Sequence, residues 1–530
     1  MQIAMPFRYF SSALSVFLVW AMCCFGQAGA PPSAGAKGLN AEQHTARAFD
    51  AAKTNPLDLR AFLVNMPKGG DLHVHLEGAV YAETFIRDGA EDHLCVNISS
   101  LSFVRRSTAT GNADTPCEKG DVPAEQAEKD QHLYDALVDA FSMRGFVPSA
   151  GVTGHDHFFD AFDRFIAVDQ RHTGEWLDEV ASRAAAQNEQ YLELMVTPPF
   201  VHTAAIAKEL GWHADRSFSE FRDQLFAKGL RDDVAIVRAY LDQAEAIRRQ
   251  SERCGEANES SGCSVQIRYI YQVLRAFPPE QVFAQTLLGF EAAAADPRIV
   301  GVNYVQPEDD RVAMLDYALH MRMLAFLHGV YPRTHISLHA GELAAGMVSP
   351  DGLCCHIRDA IEVAHAERIG HGVDVLQENR PYDLLKEMAA KHVMVEINLT
   401  SNDVILGVTG KEHPLPIYRK FGVPVALSTD DEGVSRIDLT HEYVRAVETY
   451  GLGYADLKQM VRASLEHSFL AGASLWRAPD HFDQRVPACS QDTLGAKKQS
   501  PGCAAFLQSS ERARQQWELE LRFSRFEASH

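Results

Sequence analysis

Eight short β-rich runs recur along this chain, and helix-period segments separate most of them. The runs are Asp71–Leu76, Tyr191–Val196, Val265–Tyr271, Ile299–Val305, His335–Leu338, Arg368–Ile369, Val393–Ile397 and Val423–Leu427. Several are continuously apolar rather than alternating, the pattern of strands buried on both faces of a parallel sheet. Segments such as Ile357–Ala366 and Tyr382–Lys391 carry helical spacing between them. Strand followed by helix, eight times over, predicts an α/β fold of the (β/α)8 TIM-barrel type. The length of 530 residues suits such a barrel with insertions, and 46% hydrophobic residues supply a large core.

The barrel is expected over residues 66–478, with an insertion at about 91–128 between the first two strands. Residues 31–65 read as a leader followed by one or two short helices from Ala41. Residues 479–530 read as an irregular tail ending in a helix near Ser509–Phe523. Residues 1–30 have the layout of a signal peptide. Arg8 supplies the positive start, Ala13–Phe25 the apolar stretch, and Ala28-Gly29-Ala30 the small-residue cleavage site. The chain is therefore expected to be secreted or periplasmic, and free of the membrane once cleaved.

Eight cysteines remain beyond that segment. Cys95 with Cys117, Cys254 with Cys263, and Cys489 with Cys503 bracket polar, turn-rich loops and are expected to staple them in an oxidising compartment. Cys354 and Cys355 are open to either state, a vicinal disulfide or two free thiols. The net charge of −21 argues against nucleic acid or an anionic membrane as a partner.

Chemistry concentrates at the C-terminal ends of the strands, where barrels of this type build their sites. The first strand ends His73-Val74-His75, and residues two apart point the same way. The fifth ends His339-Ala340-Gly341-Glu342, the sixth Gly370-His371-Gly372, and the eighth Ser428-Thr429-Asp430-Asp431. So many ionisable groups at one mouth would carry a large desolvation cost without a metal. Three imidazoles and the Asp430 carboxylate suit one Zn²⁺ per chain, an ion that acidifies water. Glu342 is then placed to protonate a substrate ring, His371 to orient the water and carry its proton, and Asp431 to bind substrate.

The stretches Met66-Pro67-Lys68-Gly69-Gly70-Asp71-Leu72-His73-Val74-His75-Leu76-Glu77-Gly78, His339-Ala340-Gly341-Glu342, Arg368-Ile369-Gly370-His371-Gly372 and Leu427-Ser428-Thr429-Asp430-Asp431 closely resemble the adenosine deaminase family. Glu396 to Asn402 resembles its seventh-strand motif. The resemblance spans about Pro67 to Phe469. It implies His73, His75, His339 and Asp430 as zinc ligands, Glu342 as proton donor, His371 as the water-orienting base, and Asp431 as a contact to the purine. The chain looks most like the secreted branch, the adenosine deaminase-related growth factors. In that branch a dimerisation segment lies N-terminal to the barrel; here it is mostly missing, and a homodimer is left open.

Two departures bear on substrate. Gln306 stands where the family usually offers a glycine N–H to the purine, so its side chain is expected to alter the pocket. Glu77 stands where classical adenosine deaminases place an aspartate at the ribose, and adenine deaminases share the glutamate. The expected reaction is hydrolytic deamination of adenosine or 2′-deoxyadenosine. Adenine or another adenine nucleoside is the first rival substrate, and a non-catalytic extracellular binding or signalling protein the second reading. His155 and His157 are expected to be lid or core residues, Arg275 a surface ion pair or a substrate contact, and Glu308-Asp309-Asp310 a solvated loop or helix cap.

Overall fold

The computed structural model describes residues 40–106 and 116–530. The expected signal peptide and the start of the leader lie outside them. Eight parallel strands form one sheet in strict chain order. They are β1 (Gly69–His75), β2 (Glu189–Val196), β3 (Gln266–Leu274), β4 (Ile299–Val305), β5 (His335–Ala340), β6 (Arg368–His371), β7 (Met394–Ile397) and β8 (Val425–Leu427). Every residue of β2, β6, β7 and β8 is buried, as the apolar runs required. Helices follow the strands and cover the sheet, giving the (β/α)8 barrel.

The barrel closes just beyond β8. Val74 bridges Asp430, the Asp430 N–H donates to the His73 carbonyl at 2.9 Å, and the His75 N–H donates to the Asp430 carbonyl at 3.3 Å. Asp71 reinforces this seam. One carboxylate oxygen accepts the His73 N–H at 3.1 Å, and the other accepts the Thr429 N–H and hydroxyl at 3.0 and 2.7 Å. The seam therefore runs through the residues at the ends of the first and last strands that carry the chemistry.

The insertion after β1 holds a three-stranded antiparallel sheet of Cys95–Asn97, Ser102–Val104 and Asp121–Pro123. The connection continues through helices Gln131–Ala140 and Gly154–Phe165, so the decorated stretch reaches well past residue 128. The N-terminal segment forms the two expected helices, Ala41–Ala52 and Pro56–Asn65. The tail is more regular than its sequence suggests. It folds a hairpin of Trp476–Ala478 and His481–Arg485, then helices Pro501–Ser509 and Glu511–Ala528. The last helix buries Trp517, Leu519, Phe523 and Phe526, an apolar face that its many charges obscure in the sequence.

All three expected disulfides are present, and Cys354 is bonded to Cys355 as well. Cys355 takes a φ of 83° to enter the helix His356–Glu362. Among the described residues, no helix is long and apolar enough to cross a membrane.

Candidate metal and active site

His73, His75, His339 and Asp430 converge at the C-terminal mouth of the barrel. The Nε2 atoms of His73 and His75 lie 3.1 and 3.2 Å from Nε2 of His339. Asp430 Oδ1 lies 3.5 Å from His73 Nε2 and 3.2 Å from His75 Nε2. Zinc bonds of about 2.0–2.1 Å place the ligand atoms of a tetrahedral site about 3.3–3.4 Å apart. The observed edges match that tetrahedron.

The outer faces of the three rings show why the inner nitrogens need a cation. His73 Nδ1 donates to Glu396 Oε2 at 2.6 Å, His75 Nδ1 to Gln272 Oε1, and His339 Nδ1 to Asn303 Oδ1 at 2.9 Å. Each Nδ1 therefore carries the proton, and three Nε2 lone pairs face one another beside a carboxylate. Such a set repels itself unless a positive ion sits among it, and these acceptors orient the rings for that ion. The donor set fits zinc. Gly370 makes room for the His73 ring, since a Cβ there would lie 2.4 Å from Cε1 of His73.

A second group shares Asp430. Its Oδ2 lies 3.7 Å from Nε2 of His371, and Nδ1 of His371 lies 3.6 Å from Oε1 of Glu342. Both His371 and Glu342 are buried. Burial and the neighbouring Asp430 charge drive the Glu342 carboxyl well above its ordinary range. Asp431 is also buried, with Oδ1 lacking a protein partner. Burial raises its carboxyl, against the pull of His75 and with help from Asp430. Gly78 opens the space it occupies, because a Cβ there would fall 1.5 Å from that Oδ1. Glu77 is the second residue of the short helix Leu76–Ala79, which starts directly after His75, and burial raises its carboxyl too.

In the turn after β4, Gln306 takes a φ of 83°, a conformation that suits glycine. Its Oε1 accepts the Ala276 N–H at 2.9 Å, and its carbonyl accepts both Nε and Nη2 of Arg275 at 2.9 and 2.8 Å. Arg275 is no surface residue. It is buried and also donates to the His339 carbonyl at 3.2 Å, tying β3, β4 and β5 together.

Glu308 is likewise buried rather than solvated. It accepts the Gly341 and Glu342 N–H groups at 3.1 and 2.7 Å and pairs with His356 Nδ1 at 2.6 Å. It fixes the backbone on which the Glu342 side chain stands. Asp310 does cap a helix, accepting the Val312 and Ala313 N–H groups. His155 pairs with Asp309 at 3.0 Å, and His157 stacks on Phe146, so neither approaches the cage. The sequence reading gave no roles to Asn303, Gln272 and Glu396. Their signal is positional, because each lies on a strand next to, or two places round the barrel from, the strand whose ligand it orients.

A family model described as Adenosine deaminase matches residues 146–475, more than half of the chain. The match begins beyond β1, and the fold brings His73 and His75 to it. An adenosine deaminase of Clostridium perfringens is 38% identical over 135 residues, which are 25% of this chain and 37% of that protein. The matched stretch thus spans little more than a third of that relative's length. An adenine deaminase of Rhizobium leguminosarum is 29% identical over 303 residues, covering 57% of this chain and 75% of that one. Among solved structures, the Arabidopsis ADAL protein complexed with IMP superposes with a TM-score of 0.50 at 19% identity, covering 77% of this chain and 93% of that one. An amidohydrolase from Burkholderia ambifaria with bound Zn gives a TM-score of 0.50 at 18% identity, covering 78% and 88%. These two likenesses are of fold. With the match over residues 146–475, the chain belongs to the adenosine deaminase family of the metal-dependent hydrolases.

Proposed function

We propose that this protein is a zinc-dependent aminohydrolase that converts adenosine or 2′-deoxyadenosine to the inosine product and ammonia. The observation that carries this reading is the convergence of four metal-type ligands from β1, β5 and the turn after β8 beside the buried Glu342 carboxyl. His73, His75, His339 and Asp430 would hold one zinc ion, which acidifies water and withdraws charge from an attacking oxygen. His371, whose Nε2 lies 3.7 Å from Oδ2 of Asp430, would orient that water. The water oxygen adds to the ring carbon bearing the amino group; one water proton replaces the one that Glu342 gives to the ring, and the other goes to the amino group, which leaves as ammonia as the C–N bond breaks and the carbonyl forms. Glu342 supplies a proton to the adjacent ring nitrogen, a role that needs a carboxyl kept neutral near physiological pH. Asp431 meets the imidazole half of the purine with its unpaired Oδ1, and the Gln306 N–H meets a further ring nitrogen. Four disulfides support export to an oxidising compartment.

Glu77 favours free adenine as a second reading, because it replaces the aspartate that meets ribose in classical adenosine deaminases. An ultraviolet assay of adenosine, 2′-deoxyadenosine, adenine, 5′-methylthioadenosine and AMP, with and without a strong chelator, tests both. Adenosine turnover that is abolished by the chelator and restored by Zn²⁺ is expected. Turnover of adenine alone would move the substrate assignment, and no turnover of any adenine compound by the zinc-loaded protein would overturn it.

A further inference from the structure

The unprotonated ring nitrogens of the three ligand histidines are set by acceptors. His371 is set the other way round, by a chain of hydrogen bonds that starts at a backbone amide. The Leu415 N–H opens the helix Leu415–Phe421 and donates to Nδ1 of His413 at 3.1 Å. An imidazole that accepts at Nδ1 carries its proton on Nε2. His413 Nε2 lies 3.1 Å from Oδ1 of Asn402 and therefore donates to it. The oxygen of the Asn402 amide is thereby directed at His413, and its nitrogen, Nδ2, lies 2.9 Å from Nδ1 of His371. An amide nitrogen only donates, so Nδ1 of His371 must accept. The proton of the neutral His371 ring is then on Nε2, the nitrogen facing Asp430 Oδ2. Asn398 also approaches this ring, but at 3.4 and 3.5 Å to the two nitrogens it does not choose between them.

We propose that His413 and Asn402 are positioning residues that lock His371 in its Nε2–H tautomer, so that His371 meets the attacking water as a hydrogen-bond donor rather than as a base. The relay moves no proton. It decides which nitrogen of His371 carries one, starting from the fixed Leu415 N–H. His413 is suited to the task because it stays neutral: burial, helped by Arg445, lowers it to about 4. His413, Asn402 and His371 are all buried, at 2%, 0% and 0% exposure, so water does not compete for these bonds.

The inference rests on the proposed deamination only in giving His371 a water to orient, and its test separates the two. Neutron diffraction from crystals of the zinc-loaded protein reads the tautomer without any turnover. Deuterium is expected on Nε2 of both His371 and His413. In Asn402→Asp, nearly isosteric, the carboxylate can only accept, and the His371 deuteron is expected to move to Nδ1. Turnover number should then fall on the order of 10²-fold, while KM and zinc content hold. His413→Gln, which keeps a donor toward Asn402, should retain activity that His413→Leu loses. If Asn402→Asp does not fold, this second pair decides. Deuterium on Nδ1 of wild-type His371 overturns the relay. So does an Asn402→Asp protein that turns over within about threefold of wild type, or equal activity in the two His413 variants. If no adenine compound is turned over, the function fails and the neutron result still judges the tautomer.

Discussion

Glu342 and Glu308 show how burial and partners set opposite states for two carboxyls in the same loop system. Burial pushes both up. Glu342 has Asp430 beside it, which raises it further. Glu308 is pulled below its ordinary value by the His356 hydrogen bond and charge, Arg275 and the Glu342 N–H. For Glu342, the amide variant Glu342→Gln cannot pass a proton to the ring. Its turnover is expected to fall by about 10²–10⁴-fold in the ultraviolet assay, with zinc content unchanged. For Glu308, the folded value lies below the unfolded one, so its contribution to stability is present above the ordinary glutamate value of 4.5 and is lost as pH falls through the folded value. Glu308→Gln is expected to cost about 1–3 kcal/mol at neutral pH and to flatten the acid limb of the stability curve. Urea midpoints measured from pH 7 to pH 3 check this, and parallel curves for the two proteins would contradict it. Gly370→Ala acts sterically, by displacing the His73 ring. A zinc affinity about 10–100-fold weaker, read by competition with a chelator, is expected alongside a near-normal melting temperature.

At the scale of elements, a strand end delivers a side chain and another strand supplies the acceptor that orients it: the adjacent β4 for His339, and strands two places round the barrel, β3 and β7, for His75 and His73. β1 and β5 carry the imidazoles, while β3, β4 and β7 carry Gln272, Asn303 and Glu396. The ligands were legible in the sequence because His, Asp and Glu at the ends of apolar runs are costly and stand out. Their partners were not, because a Gln, an Asn or a Glu within a strand has many bland explanations until the strand order is known. Arg275 and Glu308 differ from their expected exposure for the same reason, and the contacts of Gln306 had no local signature either. Each looks like a loop residue in sequence, and each is tied by contacts to chain segments about 30 or more residues away. The disulfides were legible because each pair is close in sequence. In the loop-closure view the Cys95–Cys117 bridge, with a separation of 22 residues, stabilises by roughly 3 kcal/mol. Replacing both cysteines by serine is expected to lower the melting temperature more than the same change at Cys254 and Cys263, 9 residues apart. The reverse order in thermal melts would show that loop closure is not what these bridges contribute.

At the scale of the whole molecule, the strand order and the closing seam make the site. The barrel seam at Val74 and Asp430 joins residues more than 350 positions apart, and its hydrogen bonds use the backbones of the ligands His73, His75 and Asp430. The fold class followed from the count and period of the runs. The terminal helices were expected as elements but their packing was not, since Lys458 reaching Glu42 and Glu527 at 2.9 and 2.6 Å is a long-range arrangement with no local signature. Everything functional depends on a single cation at that seam. Anomalous diffraction recorded on either side of the zinc edge, from crystals grown with the metal, tests this directly. One peak per chain is expected, at about 2.0–2.2 Å from Nε2 of His73, His75 and His339 and from an oxygen of Asp430. A well-ordered mouth with no peak there, or a peak held by other residues, would contradict it.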